Sequence, residues 1–431
     1  MNICVQGLWH LGSIISSSLA SKQHEVIGLD SDKTVIDNLN IGKAPLLEPG
    51  LNDLLKNGID NGNLSFTNDY SLALSKTELL WVAFDTPVDE DDNANTRYIE
   101  EQILRALPFL NNGVTILVSS QMPVGSVKKL EKIALGKFPE RKFFFACSPE
   151  NLRLGKSLEI FLNPDRIVVG VKEESTKKIL KKLLTPITEK IEWMSVESAE
   201  MTKHAINAFL ATSVTFINEI ASICELVGVN AKEVERGLKS DSRIGSKAYL
   251  SPGGPIAGGT LTRDIAFLKL ESKKNNLSTP LISAVLSSNN EHKNWVRRKL
   301  QEQFFSLSGI SVAIWGLTYK PHTDTLRRSL AVELIDWLIS QNAKVFVYDP
   351  VVKKLPKHWK KKITHCKTSL NTLLEAQALV IGTDWSEFKQ ISNKLSSSAK
   401  QNLIIIDPNH HLDSTILKAD INYITVGKPI K

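Results

Sequence analysis

Cysteine is scarce in this chain. Cys4, Cys147, Cys224 and Cys366 lie scattered along 431 residues. Their spacing offers no paired metal motif and no disulfide framework, so no metal is expected. Cys4, Cys147 and Cys224 stand among apolar neighbours and read as small buried hydrophobes. Long apolar runs are missing too: none approaches the roughly 18–20 residues that a bilayer span requires. Met1-Asn2-Ile3-Cys4-Val5 leads straight into strand-like sequence, without the charged and apolar regions of a secretory signal. The expectation is a cytoplasmic protein with no membrane partner. Aromatic residues make up 7% of the chain. The densest basic cluster, residues 353–367, interleaves its lysines with a single stacking ring, Trp359. A nucleic-acid surface would want more such rings, so the cluster reads as solvated surface and no nucleic-acid partner is expected.

What is present describes a globular protein of more than one core. Apolar content of 42% and charged content of 23% exclude disorder, and the length calls for two or three domains. The net charge of +7 favours anionic ligands.

The first third alternates strand and helix. Strand patterns at 3–6, 25–29, 79–84, 114–118 and 143–146 are separated by helical segments, the first at about 11–21. Such alternation implies a parallel sheet covered on both faces. From 196 to 226 the pattern is one long helix, with no proline or glycine before Gly228. About 30 helical residues span about 45 Å, enough to connect domains and to pack against a second subunit. Further helices read near 231–239 and 281–303. The last third restarts the alternation, with strands at 312–315, 344–348, 378–382 and 403–406 and a helix at 329–341. The fold class is therefore α/β, with two doubly wound, Rossmann-like parallel-sheet domains joined by a long central helix.

The turn Gly7-Leu8-Trp9-His10-Leu11-Gly12 falls between strand and helix, where a dinucleotide pyrophosphate meets a helix N-terminus. Asp30, ending the second strand, is placed to accept from ribose hydroxyls, which favours NAD. The fingerprint wants glycine where Trp9 stands, so a Rossmann turn that binds no dinucleotide stays open. Lys203 and Asn207 lie four apart on the long helix and leave one face. An ammonium and a carboxamide there would polarise a substrate oxygen.

Several blocks, in order along almost the whole chain, resemble the nucleotide-sugar 6-dehydrogenases, the UDP-glucose/GDP-mannose dehydrogenase family. They are Glu48-Pro49-Gly50-Leu51, Thr86-Pro87, Ser148-Pro149-Glu150-Asn151-Leu152-Arg153, Asn163-Pro164-Asp165-Arg166, Lys203-His204-Ala205-Ile206-Asn207, Ala257-Gly258-Gly259-Thr260-Leu261-Thr262-Arg263-Asp264 and Gly316-Leu317-Thr318-Tyr319-Lys320-Pro321. The resemblance implies an NAD-binding domain over 1–195, a central helical dimerisation region over 196–305 and a nucleotide-sugar-binding domain over 306–431. It implies hydride transfer from a sugar C6 hydroxyl to NAD, with Asp264 as general base and Lys203 and Asn207 holding the alkoxide. Glu150 would assist a final hydrolysis. Gly7, Leu8, His10, Leu11, Gly12, Asp30, Thr86, Gln121, Arg263 and Arg327 would bind NAD. Arg243, from a partner subunit, with Tyr249, Gly258 and Lys320, would contact the nucleotide sugar. A homodimer or higher homo-oligomer is expected.

The family places a nucleophilic cysteine four residues before the aspartate of its loop, and Thr260 stands there. Gln121, Leu154 and Thr262 depart from the family's threonine, glutamate and proline. A hydroxyl yields practically no nucleophilic anion at neutral pH, whereas a thiol of pKa about 8.5 does. Three outcomes follow: a single hydride transfer, in either direction; a four-electron oxidation through the aldehyde hydrate; or a non-catalytic homologue that binds nucleotide sugar.

Overall fold

Strand residues here are apolar on both sides because both faces of each sheet are covered. Along β1 (Asn2–Gln6), Ile3 and Val5 enter one core and Cys4 the other; β4 (Leu79–Val82) divides Leu79 and Trp81 from Leu80 and Val82 in the same way. This is the period-two alternation of a strand buried on both faces. The computed structural model describes the chain apart from residues 88–94, 151, 258, 392–394, 396–401, 413–420 and 430–431. It divides into two units, Met1–Ile206 and Asn207–Lys431.

The first unit adds β2 (Glu25–Leu29), β3 (Leu64–Thr67), β5 (Thr115–Val118), β6 (Phe144–Cys147), β7 (Ile167–Gly170) and β8 (Ile191–Met194), in the order β3-β2-β1-β4-β5-β6-β7-β8. All neighbours are parallel except β6 and β7, which meet antiparallel at Cys147 and Gly170. Helices α1 (His10–Ser21), α2 (Lys33–Asn40), α3 (Leu51–Asp60), α4 (Tyr70–Leu74), α5 (Thr96–Ala106), α6 (Ser126–Lys137), α7 (Ser157–Leu162) and α8 (Glu174–Leu184) connect the strands. Local sequence starts several of them: the Asp32 carboxylate accepts from the amides of Thr34 and Val35 at α2, and Asp69 does the same for Ser71 and Leu72 at α4.

Helix α9 (Val196–Val227) passes from the first unit into the second and stops at Gly228, whose φ is +75°. An 18-residue window of α9 has a mean hydropathy of 1.4, so by length and composition this helix could cross a membrane. That corrects the sequence expectation: alanine, serine and threonine interrupt its strongly apolar residues but lower the mean only slightly. Lys203, His204, Asn207 and Asn218 on α9 are nonetheless buried against protein partners. Buried, paired polar groups of this kind mark a helix packed among protein.

The second unit continues with α10 (Ala231–Ser240), α11 (Thr260–Lys274), α12 (Pro280–Lys293) and α13 (Trp295–Gln303). The single helix expected at 281–303 is broken at Asn294, where buried Trp295 turns its indole N–H onto Glu225 at 2.9 Å. Helix α11 was not anticipated, because its glycine-rich lead-in reads as loop. A second sheet then forms from β9 (Ser311–Trp315), β10 (Lys344–Tyr348), β11 (Ile363–His365), β12 (Ala378–Ile381), β13 (Ile404–Ile406) and β14 (Asn422–Ile424), with α14 (Leu330–Ser340) and α15 (Ser386–Gln390) among its connections. Its order, β11-β10-β9-β12-β13-β14, repeats that of the first six strands, and every pair is parallel. The strand order switches sense between β1 and β4, and again between β9 and β12. Open α/β sheets bind ligands at such points, beyond the strand carboxyl ends.

Candidate active site

The glycine turn after β1 is built by backbone constraints. Gly7 has φ of +92°, and a Cβ on Gly12 would lie 1.8 Å from the Gly7 carbonyl oxygen, so α1 can approach the strand only through glycine. The Gly7 amide donates to Leu29 O (2.9 Å), the Leu8 amide to Asp30 Oδ2 (2.7 Å) and the Asp32 amide to Asp30 Oδ1 (3.0 Å). The second sheet repeats this wiring. Gly316 donates to Tyr348 O (2.8 Å), Leu317 to Asp349 Oδ2 (2.7 Å) and Val351 to Asp349 Oδ1 (2.9 Å). The acid ending the second strand therefore has a structural task in both domains, and at Asp30 any bond to a ribose is added to it. Leu8 and Leu11 are buried, while Trp9 is 46% exposed. The Thr86 hydroxyl donates to Gln121 O at 2.6 Å.

Glu48 locks this turn to the 153–157 segment. Its carboxylate lies 3.1 Å from His10 Nε2 and accepts from the amides of Gly155 (2.9 Å) and Ser157 (2.7 Å), capping α7. Burial alone would raise its pKa, but the bonds from Gly155, His10 and Ser157 together hold it below the usual range. A carboxylate depressed on folding stabilises above its unfolded pKa and loses that contribution as pH falls through the folded one. Glu48→Gln is expected to cost about 1–3 kcal/mol at neutral pH, because one capping amide loses its acceptor. Denaturant melts should show the gap between variant and parent closing below about pH 4; equal stability at pH 7 would contradict this account.

Glu150 and Lys203 meet at a shallow recess beside Gln121, Met122 and Cys147. Lys203 Nζ donates to Glu150 O at 2.6 Å and lies 3.5 Å from Glu150 Oε1. His204 Nε2 bonds Met122 O at 3.0 Å. Buried Glu200 accepts from the amides of Gly125 (2.6 Å) and Val127 (2.9 Å), tying α9 to the start of α6. Cys147 lines the recess, but burial first and the Glu200 charge second push its thiol far up. It is no substitute thiolate.

In the second unit, the segment before α11 is pinned by side-chain amides and a histidine. Asn218 accepts from the Gly253 amide (3.0 Å), Asn289 from the Ile256 amide (2.7 Å) and Asn409 from the Gly254 amide (2.7 Å), while His292 Nε2 bonds Gly253 O (2.8 Å). Thr260 is the first residue of α11 and is exposed. Asp264, one turn on, is fully buried and accepts from Asn207 Nδ2 at 2.5 Å. A Cβ on Gly259 would lie 1.4 Å from Arg328 Nη1, which puts a guanidinium against the residue preceding Thr260. Arg328 itself adopts φ of +59°, a left-handed conformation costly for a side-chain-bearing residue. Arg328, Asn289 and His292 were not singled out from the sequence, because they act through positions far apart in the chain.

The remaining candidates are more dispersed. Lys320 lies over the Tyr319 ring at 5.4 Å, Arg263 is half-buried and Arg327 exposed. Arg243 and Tyr249 are both exposed, and Arg243 pairs with its neighbour Asp241 at 2.7 Å. Gly258 lies outside the described residues.

NAD fits the first domain at the glycine turn, the acid Asp30 and the N-terminus of α1. Comparison with known proteins agrees with this layout. Three models of the UDP-glucose/GDP-mannose dehydrogenase family match in succession: the NAD binding domain over residues 1–188, the central domain over 197–291 and the UDP binding domain over 313–414. The chain is 31% identical to a UDP-glucose 6-dehydrogenase of Rickettsia conorii and 30% identical to one of Rhizobium meliloti, over the full length of both chains in each case. Among solved structures it resembles a UDP-glucose dehydrogenase of Pyrobaculum islandicum, with TM-score 0.88, 26% identity and coverage of 99% of this chain and 97% of that one. The fold is shared with a UDP-D-ManNAc dehydrogenase of Pyrococcus horikoshii, with TM-score 0.87, 23% identity and full coverage of both. The chain belongs to the UDP-glucose/GDP-mannose dehydrogenase family, the NAD-dependent nucleotide-sugar dehydrogenases.

Proposed function

We propose that the protein oxidises a UDP-glucose-like nucleotide sugar at C6 by a single hydride transfer, giving the aldehyde. The observation carrying this reading is Thr260 at the head of α11, one turn before the buried Asp264–Asn207 pair, with Cys147, the thiol of the Glu150 recess, held protonated. NAD, when bound, supplies the hydride acceptor. Asp264 takes the hydroxyl proton, through a water. Lys203 and Asn207, successive turns of α9, stabilise the alkoxide as a cation and an amide donor. Glu150 holds Lys203 in place and, without a thioester to hydrolyse, serves position more than chemistry. Lys320, Arg243, Tyr249 and Gly258 take the nucleotide sugar, and Arg263 and Arg327 the cofactor.

The test is NADH formed per nucleotide sugar consumed, across UDP- and GDP-sugars. About one equivalent is expected, because a hydroxyl cannot form the thioester stage; two equivalents would refute it. Arg328 favours a second reading. Its guanidinium beside Gly259 would steady a hydrate anion on the way to a carboxylate, and two equivalents with the wild-type chain would select that course.

The protein acts in the cytoplasm as a homodimer joined through α9. Phe209, Phe216 and Ile223 recur every seventh residue of α9 and are 70%, 45% and 56% exposed. That spacing keeps one apolar seam on one helix face, and a second copy of the same seam is its natural cover. Ile223→Glu is expected to halve the mass measured by light scattering; an unchanged mass would assign the seam elsewhere.

A further inference from the structure

Two positions in the second unit break the usual rules of residue choice in opposite directions, and they meet. Residues 326–329 make a tight turn before α14, in which the Ser329 amide donates to Leu326 O at 3.1 Å. Arg328 takes the third place in that turn, with φ of +59°. Glycine is the usual residue there, because a side chain strains a left-handed backbone. Gly259 is the converse case. Its φ of −114° and ψ of −9° lie in the right-handed region, open to residues with side chains. The reason for glycine is steric: beyond its chain neighbours, the three atoms nearest to a Cβ would be Arg328 Nη1, Cζ and Nη2, at 1.4, 2.4 and 3.1 Å.

A side chain is thus kept where it costs strain, and another is left out where the backbone would accept it. Both choices serve one contact. That contact falls on the N-cap of α11, for Gly259 O accepts from the Arg263 amide (3.1 Å) and from the Thr262 hydroxyl (3.2 Å). Thr260 follows as the first residue of the helix, and Asp264 lies one turn further, buried on Asn207. Holding Gly259 therefore holds the start of the helix that presents both. Backbone strain persists only where the surrounding structure has a use for it.

We infer that Arg328 is a positioning residue for the oxidation, seated in the space of the missing 259 side chain so that it fixes the head of α11 and Thr260 with it. Positions 259 and 328 work as one size-matched unit: enlarging the first or emptying the second displaces the same helix start. The inference rests on the reading that places Thr260 and Asp264 at the reacting carbon.

The experiment is a double-mutant cycle on the full chain, with Gly259→Ala, Arg328→Gly and the two combined, using the UDP- or GDP-sugar that the wild type turns over fastest. Each single variant is expected to lower kcat at least tenfold with both KM values within about threefold, since a misplacement of about 1 Å costs on the order of 10²-fold. The double variant should match Arg328→Gly within about twofold, because the alanine then has nothing to displace. Arg328→Gly should also melt at or above the wild-type temperature, its turn freed of strain, so that activity and stability move apart as they would not for a merely structural arginine. If Gly259→Ala does not fold, recovery of folding in the double variant supports the contact and continued failure refutes it. The inference is overturned if Arg328→Gly keeps the wild-type kcat, if the two losses multiply, or if kcat falls only in variants that melt early. A wild type that turns over no nucleotide sugar would overturn the reading of Thr260, and the inference with it.

Discussion

Cysteine in place of Thr260 is expected to raise the NADH yield from about one to about two per nucleotide sugar consumed. The position is prepared for a thiolate. Residue 260 opens α11, so a helix N-terminus lies beneath it, and the Arg328 guanidinium packs on the preceding glycine. Both lower a thiol pKa from its free value of about 8.5. Thr260 is exposed, so the exchange of hydroxyl and methyl for sulfur disturbs little packing. The thiol would add to the aldehyde, the resulting hemithioacetal would surrender a second hydride, and water would cleave the thioester. Product analysis by mass should show the acid replacing the aldehyde. A stoichiometry that stays near one would mean that residue 260 does not decide the product.

Asp264→Asn is expected to lower kcat by about 10²–10⁴-fold, the range for losing a positioned general base. The substitution isolates chemistry from folding. Asparagine keeps an oxygen that can accept from Asn207 Nδ2, so the buried contact survives while the proton acceptor is removed. The melting temperature should move little and KM for the nucleotide sugar should stay within a few-fold. A variant that folds and turns over at the wild-type rate would place the base elsewhere.

Much of this was legible in the sequence because it depends on short-range pattern. Strand alternation at 3–6 and 25–29, the uninterrupted helix from 196 and the glycine turn at 7–12 follow from side-chain periodicity and from backbone freedom that only glycine has. The order of family blocks carried the family assignment, and with it the roles proposed for Lys203, Asn207 and Asp264. The antiparallel β6–β7 pair escaped the pattern, because a buried strand reads alike in either direction. The break at Asn294 escaped it too; beside it Trp295 bonds Glu225, 70 positions away, a contact that no local pattern displays.

The sequence by itself determined the doubly wound class, the dinucleotide turn with Trp9 inside it and the hydroxyl of Thr260 at the position where the family resemblance implies a thiol. Each is a local property of residue type and spacing. Tertiary structure alone decided which groups meet: Glu48 on α7, Arg328 against Gly259 and four distant side chains holding residues 253–256. Hydrogen bonds and close approaches of this kind join segments remote along the chain, and folding is what brings their donors and acceptors within reach.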